Sequence, residues 1–340
     1  MKKKIAINGF GRIGRAFFKL AEGSTAIEVV AINDLGNLEN LAYLLQYDSV
    51  YGKSDFDIHT EKGALVVNGR NVTFLQERDP SKLPWKKLGI DIVLESTGVF
   101  DSYEKSKVHL DAGAKRVVIS APVKDAPPQG IVGATVLIGV NEEKLKVCDI
   151  SSNASCTTNA GSPLMQILDE AVGIEKALLN TVHGYTASQS LVDGPATKDF
   201  RKGRAAAHNI IPSTTGAAIA TTKAITSLEG KFDGIAIRVP VVVGSIVDVT
   251  FIAKRAVTAE EINDILTKAS KEVRWKRVFS VTTEPIVSSD IIGSPYASIA
   301  DLSFTRVVGE NLVKVLSWYD NEMGYANALL EHVEISANYL

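Results

Sequence analysis

Residues 5–14 read Ile5-Ala6-Ile7-Asn8-Gly9-Phe10-Gly11-Arg12-Ile13-Gly14, and this stretch decides the fold. The apolar run before the glycines predicts a buried strand over Lys4 to Asn8. The pattern after them predicts a helix over Ile13 to Glu22, and a second apolar run predicts a strand over Ile27 to Ile32. Strand, glycine turn, helix and strand form a βαβ unit, which is the building block of a parallel sheet.

The three glycines have the spacing G-x-G-x-x-G between a strand and a helix, the context that dinucleotide binding requires. Gly9 permits the tight turn, Gly11 lets the backbone approach a pyrophosphate, and Gly14 allows close packing of helix on strand. Asp34 stands twenty residues after Gly14, at the end of the second strand. Its carboxylate can accept the adenosine ribose hydroxyls and would repel a 2′-phosphate, and Leu35 adds no positive charge, so NAD is favoured over NADP. The alternative is a structural glycine turn followed by a solvated aspartate.

Further apolar, β-branched runs extend this unit into a sheet. The N-terminal half has them at Asp91 to Ser96, Arg116 to Ser120 and Val136 to Val140, as a parallel doubly wound sheet requires. After about residue 175 strand-like segments dominate, with a helix at Ala259 to Val273. These strands are predicted at Ala177 to His183, Asp233 to Val239, Ser245 to Ala253 and Leu312 to Tyr319. The predicted fold class is α/β, a Rossmann-type doubly wound parallel sheet domain followed by an α+β domain with a mixed or antiparallel sheet.

Composition and charge narrow the partners. The chain has 340 residues and a formal net charge of −2, which offers no field to attract nucleic acid or an anionic membrane. The apolar stretch after Met1 to Lys4 is too short for a secretory signal. The most apolar long window, Gly234 to Ala253, contains Arg238, Pro240 and Asp248 and does not predict a membrane span. We therefore expect a cytoplasmic protein whose partners are small molecules or other subunits.

The two cysteines of the chain have different surroundings. Cys148 lies among apolar neighbours, where a small buried hydrophobe is the plain interpretation. Cys156 lies in a polar run from Ser151 to Asn159, directly before a helix predicted over Ala160 to Ala171. The amides and dipole of a helix N-terminus favour a thiolate, and a nearby imidazolium would lower the pKa of the thiol further. The same amides could hold a tetrahedral oxyanion, so Cys156 is the candidate nucleophile.

Five histidines are candidate bases. His59 and His109 lie in charged segments that are typical of the surface, and His332 lies in the C-terminal tail, so we expect an ordinary structural role for each. His183 ends an apolar strand and precedes the polar run Gly184 to Thr186, a placement that suits a base presented into a cleft. From residue types alone, a structural and a catalytic role for His183 remain equally open.

Along essentially its whole length the sequence resembles the phosphorylating glyceraldehyde-3-phosphate dehydrogenase family. The motifs that carry the resemblance are Ile7 to Arg15, Glu77 to Pro80, Glu95 to Phe100, Ser152 to Asn159, Thr181 to His183, Gly203 to Gly216, Arg238 to Pro240 and Trp318 to Glu322. The resemblance implies an NAD-binding domain over residues 1–155, joined by a C-terminal helix over 321–340, and a catalytic domain over 156–320. It implies NAD as the cofactor, and we predict no metal site.

The resemblance also implies a reaction. Cys156 would attack the aldehyde of D-glyceraldehyde 3-phosphate, and His183 would take the hydroxyl proton as hydride leaves for NAD. Inorganic phosphate would then attack the resulting thioester and give 1,3-bisphosphoglycerate, a step of glycolysis and gluconeogenesis. The residues implied at the two anion sites are Ser155, Thr157, Thr215 and Gly216 for the attacking phosphate, Thr186 and Arg238 for the substrate phosphate, and, with a looser match, Arg201 and Arg204.

The resemblance assigns further residues to the cofactor. They are Arg12 and Ile13 beside the three glycines at the pyrophosphate, Asp34 at the adenosine ribose, Arg78 and Ser120 on the adenine and ribose side, and Asn321 at the nicotinamide carboxamide with Tyr325 nearby. From the residues alone, Asn321 is typical of a turn. The polar segment 190–209 is similar to the family's segment that reaches a neighbouring subunit's cofactor, which implies a homotetramer. Leu35 and Pro195 are similar to the family's NAD-preferring pattern.

The sequence departs from the family's usual pattern at several positions. Met323 stands where tryptophan is usual, Ala160 where a second cysteine is common, and Ser188 where aspartate or threonine is common. Residues 126–136 look longer or differently arranged. None of these changes removes a group that the mechanism needs, but Ser188 offers no carboxylate to the substrate-phosphate site.

Two alternatives to the phosphorylating dehydrogenase remain. An erythrose-4-phosphate dehydrogenase shares the cysteine and the histidine but releases an acid by hydrolysis; its usual ribose-binding residue is glutamate, so Asp34 and the intact Thr214 to Gly216 favour the phosphorylating enzyme. The second alternative is a nucleotide-binding redox sensor or RNA-associated protein in which Cys156 is a peroxide-sensitive thiol. That reading leaves the base and the two phosphate sites without a purpose, and the near-neutral charge provides no basic RNA surface.

Overall fold

The structure is a computed structural model that describes residues 1–197 and 199–340, so Lys198, within the polar segment 190–209, lies outside the described residues. The chain divides into two compact units. The N-terminal unit comprises Met1–Ala154 and Leu329–Leu340, and the C-terminal unit comprises Ser155–Ala328. Among the described residues, no helix is long and apolar enough to cross a membrane.

Residues 1–154 of the N-terminal unit form a nine-stranded sheet and a small two-stranded one. The strands are β1 (Lys3–Asn8), β2 (Ile27–Asn33), β3 (Tyr47–Asp48), β4 (Gly52–Lys53), β5 (Ile58–Glu61), β6 (Ala64–Val67), β7 (Arg70–Leu75), β8 (Ile92–Glu95), β9 (Arg116–Ile119), β10 (Gly133–Thr135) and β11 (Ile150–Ser152). The helices are α1 (Arg12–Ala21), α2 (Leu38–Gln46), α3 (Trp85–Leu88) and α4 (Tyr103–Asp111). The large sheet has the order β10-β11-β9-β8-β1-β2-β7-β6-β5. Its pairs are parallel from β10 to β7, and only β5, β6 and β7 pair antiparallel.

This parallel-rich sheet confirms the predicted Rossmann-type domain, with one element misplaced. The strand predicted over Val136 to Val140 is wrong, because the sheet strand is β10, which ends at Thr135. The buried residues after it form a turn that Asn141 holds through its side chain, accepting from the Leu137 N–H at 2.9 Å and donating to the Thr135 carbonyl at 3.0 Å. Side-chain bonds of this kind compete with sheet pairing, so an apolar run alone does not make a strand. The antiparallel hairpins of β5 to β7 were not predicted.

The C-terminal unit has a seven-stranded mixed sheet within its described residues. The strands are β12 (Ile174–Gly184), β13 (Ile211–Thr214), β14 (Phe232–Val239), β15 (Ser245–Ala253), β16 (Phe279–Thr282), β17 (Ser298–Val308) and β18 (Leu312–Tyr319). The helices are α5 (Cys156–Val172), α6 (Ala217–Ala224), α7 (Ala259–Lys271) and α8 (Met323–Asn338), the last of which continues into the N-terminal unit from Leu329. The sheet order is β13-β14-β12-β15-β18-β17-β16, which confirms the predicted mixed sheet.

Residues of the central strands alternate between a buried and a more exposed face. β15 follows a strict buried, half-buried pattern, and helices α5, α6 and α7 pack on the buried side. Successive side chains of a strand point to opposite faces, so only every second residue of β12 can reach the helix layer. Thr181 and His183 lie on this buried face, whereas Leu178 lies on the opposite one.

Candidate active site

A cleft of about 380 Å³ lies at the carboxyl ends of β1, β2 and β8 in the N-terminal unit. The strand order runs in opposite directions from β1, so the cleft is at the switch point where open α/β sheets bind ligands. Four of the predicted cofactor residues line it, together with Leu35: Gly9, Gly11, Asp34 and Arg78. The structure therefore brings the first two glycines of the motif and the candidate ribose carboxylate into one cleft.

Glycine is favoured at each of the three motif positions for a different physical reason. Gly9 has a φ of +96°, and a Cβ there would lie 2.6 Å from the backbone nitrogen of Thr97. A Cβ at Gly14 would collide with the carbonyl oxygen of Gly9. At Gly11, by contrast, a Cβ would meet no protein atom within 4 Å, and this residue begins α1 without any side-chain cap. The open space and the uncapped amides at Gly11 fit a ligand anion such as a pyrophosphate.

Asp34 is held in place by the backbone. Its Oδ2 accepts from the Phe10 N–H at 2.6 Å, and its Oδ1 accepts from the Gly36 N–H at 2.7 Å. Each oxygen keeps a further lone pair, so the carboxylate can still accept from two ribose hydroxyls. The other predicted cofactor residues of this unit lie around these elements: Arg12 pairs with Asp48 at 3.0 Å, Ile13 lies in the first turn of α1, Arg78 is exposed, and Ser120 follows β9.

His109 is not at the surface, contrary to the expectation from its charged segment: it is fully buried beside the cleft-lining loops. The Trp85 indole N–H donates to Nδ1 of His109 at 3.2 Å, so the ring proton is on Nε2, 3.1 Å from Glu95 Oε2. Glu95 also accepts from the Asn8 amide at 2.6 Å and from the Thr97 N–H at 2.8 Å. This network ties together the ends of β1 and β8, which carry the cleft. His332 is fully buried too, with Nε2 2.7 Å from the Ser151 hydroxyl.

In the C-terminal unit, Cys156 is the first residue of α5. The helix begins four residues earlier than predicted because the Ser155 hydroxyl caps it, accepting from the Thr158 N–H at 3.1 Å. His183, near the end of β12, places Nε2 3.4 Å from the Cys156 sulfur. That distance suits a thiol–imidazole hydrogen bond, so the structure pairs the candidate nucleophile with the candidate base.

The pair is neutral in this state, which differs from the expectation of a lowered thiol pKa. Burial raises the pKa of the Cys156 thiol, and the charge of Arg238 and the Thr157 N–H act in the opposite direction without overcoming it. Burial, with Arg238 as the second cause, lowers the pKa of His183 from 6.5 to about 3. A neutral imidazole is the form that can accept a proton, so its chemistry here is that of a base rather than of a cation that stabilises a resting thiolate.

Arg238 contacts the same histidine. Its Nη1 lies 2.6 Å from His183 Nδ1, and that Nδ1 also lies 2.6 Å from the Gly184 carbonyl oxygen. If Nδ1 carries the proton, it donates to Gly184 and leaves the Nε2 lone pair facing Cys156. If Nδ1 accepts from Arg238, the proton is on Nε2 and the ring cannot take another from the thiol. Only the first tautomer makes His183 a base toward Cys156.

Tyr319 is a residue of the site to which sequence reasoning assigned no role. Its buried hydroxyl lies 2.9 Å from Thr157 Oγ1 and 2.7 Å from Thr181 Oγ1, and its ring meets His183 edge-on at 5.9 Å between centroids. Burial raises the pKa of this phenol, which therefore stays protonated. Tyr319 thus links the first turn of α5 to β12. The only sequence signal for a role of Tyr319 in the site was its position within the motif Trp318 to Glu322.

The remaining predicted anion-site residues lie in the same unit. Thr186 Oγ1 is 2.9 Å from the Ser188 hydroxyl, so Ser188 shares the site assigned to the substrate phosphate. Thr215 and Gly216 precede α6, which Gly216 caps by position. Among the described residues, no hydrogen bond joins these groups to the Cys156–His183 pair. Arg201 and Arg204 are exposed and paired with aspartates of their own segment.

A cleft at the glycine turn with a backbone-held carboxylate in one unit, and a thiol–imidazole pair in the other, define a class: a dinucleotide-dependent oxidoreductase that carries a candidate thiol nucleophile. Comparison with known proteins identifies the family within this class. The family model for the glyceraldehyde 3-phosphate dehydrogenase NAD binding domain matches residues 3–103, and the model for its C-terminal domain matches residues 155–321. The chain belongs to the glyceraldehyde 3-phosphate dehydrogenase family, and NAD is its cofactor.

Individual relatives agree over nearly the whole chain. The chain is 44% identical to a glyceraldehyde-3-phosphate dehydrogenase of Streptomyces coelicolor, with all of both chains covered. It is 47% identical to one of Borreliella burgdorferi, over 96% of this chain and 98% of the relative. Glyceraldehyde-3-phosphate dehydrogenase 1 of Kluyveromyces lactis is 46% identical, over 97% and 98%.

Proposed function

We propose that this chain oxidises D-glyceraldehyde 3-phosphate with NAD and inorganic phosphate to 1,3-bisphosphoglycerate, through a thioester on Cys156, as a step of glycolysis or gluconeogenesis in the cytoplasm. The observation that carries the proposal is the 3.4 Å contact between the Cys156 sulfur and a neutral, buried His183. The N-terminal unit would serve as the NAD-binding domain, with Gly9, Gly11 and Asp34 at the nucleotide.

The reaction follows from the roles of these two residues. Cys156 passes its proton to His183 and the sulfur bonds to the aldehyde carbon, while the first amides of α5 face the oxyanion that forms. His183 returns the proton to that oxygen, which gives a hemithioacetal. NAD, when bound, supplies the acceptor for the hydride that this carbon loses. His183 removes the hydroxyl proton again as the carbon becomes a thioester.

Phosphate completes the cycle. It attacks the thioester carbon, the carbon–sulfur bond breaks, and the sulfur leaves as the thiol with the proton from His183. Ser155, Thr157, Thr215 and Gly216 are the residues proposed at this phosphate. Energy that hydrolysis would lose as heat is thereby conserved in an acyl phosphate.

Through Arg238, binding of the substrate phosphate would also change the hydrogen bonding of His183. A guanidinium engaged with a phosphate, which Thr186 would also contact, is drawn away from His183 Nδ1. Nδ1 then keeps its proton on the Gly184 carbonyl, and Nε2 is left to accept from Cys156. Binding of the correct substrate would in this way prepare the base.

The test of the proposal is the dependence of turnover on an inorganic anion. We expect NADH formation from glyceraldehyde 3-phosphate and NAD to require added phosphate or arsenate, because the thioester accumulates without an acceptor. Oxidation of this substrate or of erythrose 4-phosphate at full rate without the anion would identify a hydrolytic dehydrogenase. A folded protein that forms no NADH but whose Cys156 reacts with peroxide would favour the redox sensor.

We also propose that the protein is a homotetramer. The outer face of the C-terminal sheet exposes Leu178 and Ile235, 65% and 56% accessible, and the polar segment 190–209 exposes Leu191 and Phe200 at 70% and 83%. Apolar surfaces of this kind are typical of subunit interfaces. We expect light scattering to give about four times the chain mass of 36.5 kDa, and Ile235→Glu to lower it. A wild-type monomer would contradict the proposal.

A further inference from the structure

Ser245 lies between the base and the residue assigned to nicotinamide. It begins β15, is 2% exposed, and has one hydroxyl with two partners. The Gly184 N–H donates to Ser245 Oγ at 3.2 Å, and Ser245 Oγ lies 2.9 Å from Asn321 Oδ1. Because a backbone N–H can only donate, the serine oxygen accepts from Gly184 and its own proton goes to Asn321.

These bonds fix the orientation of the Asn321 amide. Its Oδ1 accepts from the Gly244 N–H at 3.1 Å as well as from Ser245, and both groups are donors. The oxygen must therefore face them, and the NH2 end must face away. Asn321 then presents a donor, which is what the carbonyl oxygen of a carboxamide binds.

The same hydroxyl acts on the base through Gly184. The peptide N–H of Gly184 is held by Ser245, and the carbonyl oxygen of the same residue is the 2.6 Å partner of His183 Nδ1. A proton on Nδ1 is donated to this carbonyl and leaves the Nε2 lone pair for Cys156, whereas Arg238 at the same nitrogen favours the opposite tautomer. Ser245 thus anchors Asn321 and Gly184 by hydrogen bonds. It does so without contacting the Cys156 sulfur or the His183 ring.

We propose that Ser245 is a positioning residue that fixes the donor orientation of Asn321 toward nicotinamide and the tautomer of His183 toward Cys156. The inference rests on the roles given to Asn321 and His183 in the proposed function. It adds a residue that belongs to none of the motifs by which the chain resembles its family.

The test uses Ser245→Ala in the full-length protein with two readouts other than turnover. We expect NAD affinity to fall about fivefold to tenfold, as for one lost buried hydrogen bond, and the affinity for ADP-ribose, which lacks nicotinamide, to stay unchanged. The alkylation rate of Cys156 by iodoacetamide in the NAD-free protein should fall by a similar factor. Loss of NAD and ADP-ribose affinity together, or neither effect, would overturn the proposal.

Ser317→Ala is the matched control. Ser317 is also fully buried in the same sheet, and its hydroxyl bonds to Ser298 at 2.8 Å. It should lose stability without changing either readout; the same changes in this variant would make the Ser245 effects merely structural. If Ser245→Ala does not fold, Asn321→Asp keeps both acceptor bonds and removes the amide donor. Unchanged discrimination between NAD and ADP-ribose in that variant would refute the assigned orientation.

Neither readout depends on phosphate. If wild-type turnover proves independent of the anion, the proposed reaction fails while the effects of Ser245→Ala can still stand. If turnover requires phosphate and Ser245→Ala behaves as the wild type, only the positioning role fails.

Discussion

Replacement of Cys156 by serine is expected to abolish turnover, by a factor on the order of 10³ or more, and to leave NAD binding intact. The alcohol of serine is far less acidic than a thiol and is a weaker nucleophile at neutral pH, so transfer of its proton to His183 is much less favourable than transfer from Cys156. An ester in place of the thioester would also transfer its acyl group to phosphate more slowly. The measurement is NADH formation in the presence of phosphate, with NAD affinity determined by calorimetry.

Cys148→Ser is the control for this variant. Cys148 is a buried free thiol of the N-terminal unit that feels the charge of Arg116, and burial raises its pKa as well. We expect its replacement to change stability at most and to leave the turnover number unchanged. Turnover retained by Cys156→Ser, or lost equally in both variants, would remove Cys156 from the role of nucleophile.

The sequence was sufficient to predict those features whose pattern lies within a short stretch of the chain. The βαβ unit and its glycines lie within about thirty residues, and Gly9 and Gly14 each have a steric reason that any chain with this turn must meet. Cys156 was found in the same way, because a polar run before a helix marks a helix N-terminus. The role of His183 could not be decided from residue types, because it depends on Cys156, which the fold brings to 3.4 Å from the imidazole.

The features that the sequence did not reveal depend on contacts between residues that are distant in the chain. His109 was expected at the surface because lysines and acids surround it in sequence, yet Trp85 and Glu95 enclose it. The bonds of Tyr319 to Thr157 and Thr181 span 162 and 138 residues. The direction of the Cys156 pKa also required the fold, because burial opposes the helix N-terminus and the burial of a side chain is set by the whole unit.

Replacement of His183 by asparagine should lower turnover by about 10²–10⁴, the range for loss of a general base, with NAD affinity little changed. His59→Asn is the control, since His59 is half exposed and its only ion pair is with Asp57 in the described residues. The pH dependence of Cys156 alkylation in the wild type separates two views of the resting site. If a preformed ion pair maintained the thiolate, the wild-type alkylation rate would be flat through neutral pH. For the neutral pair it should rise with pH as the thiol, whose pKa burial has raised, ionises.

The same variant has a predictable effect on acid stability. The folded-state pKa of His183 is about 3 and the usual value is 6.5, so the folded protein binds fewer protons than the unfolded chain. The contribution of a neutral His183 to stability is therefore complete above the unfolded pKa and is lost as the pH falls from 6.5 toward about 3. Asparagine cannot titrate, so the melting temperature of His183→Asn should fall less steeply than that of the wild type in this window. His332, whose pKa burial also lowers to about 3, keeps both proteins acid-sensitive, and only the difference between the two curves reports His183. Parallel curves would mean that His183 is not held neutral in the folded protein, and the base would then have to be sought elsewhere.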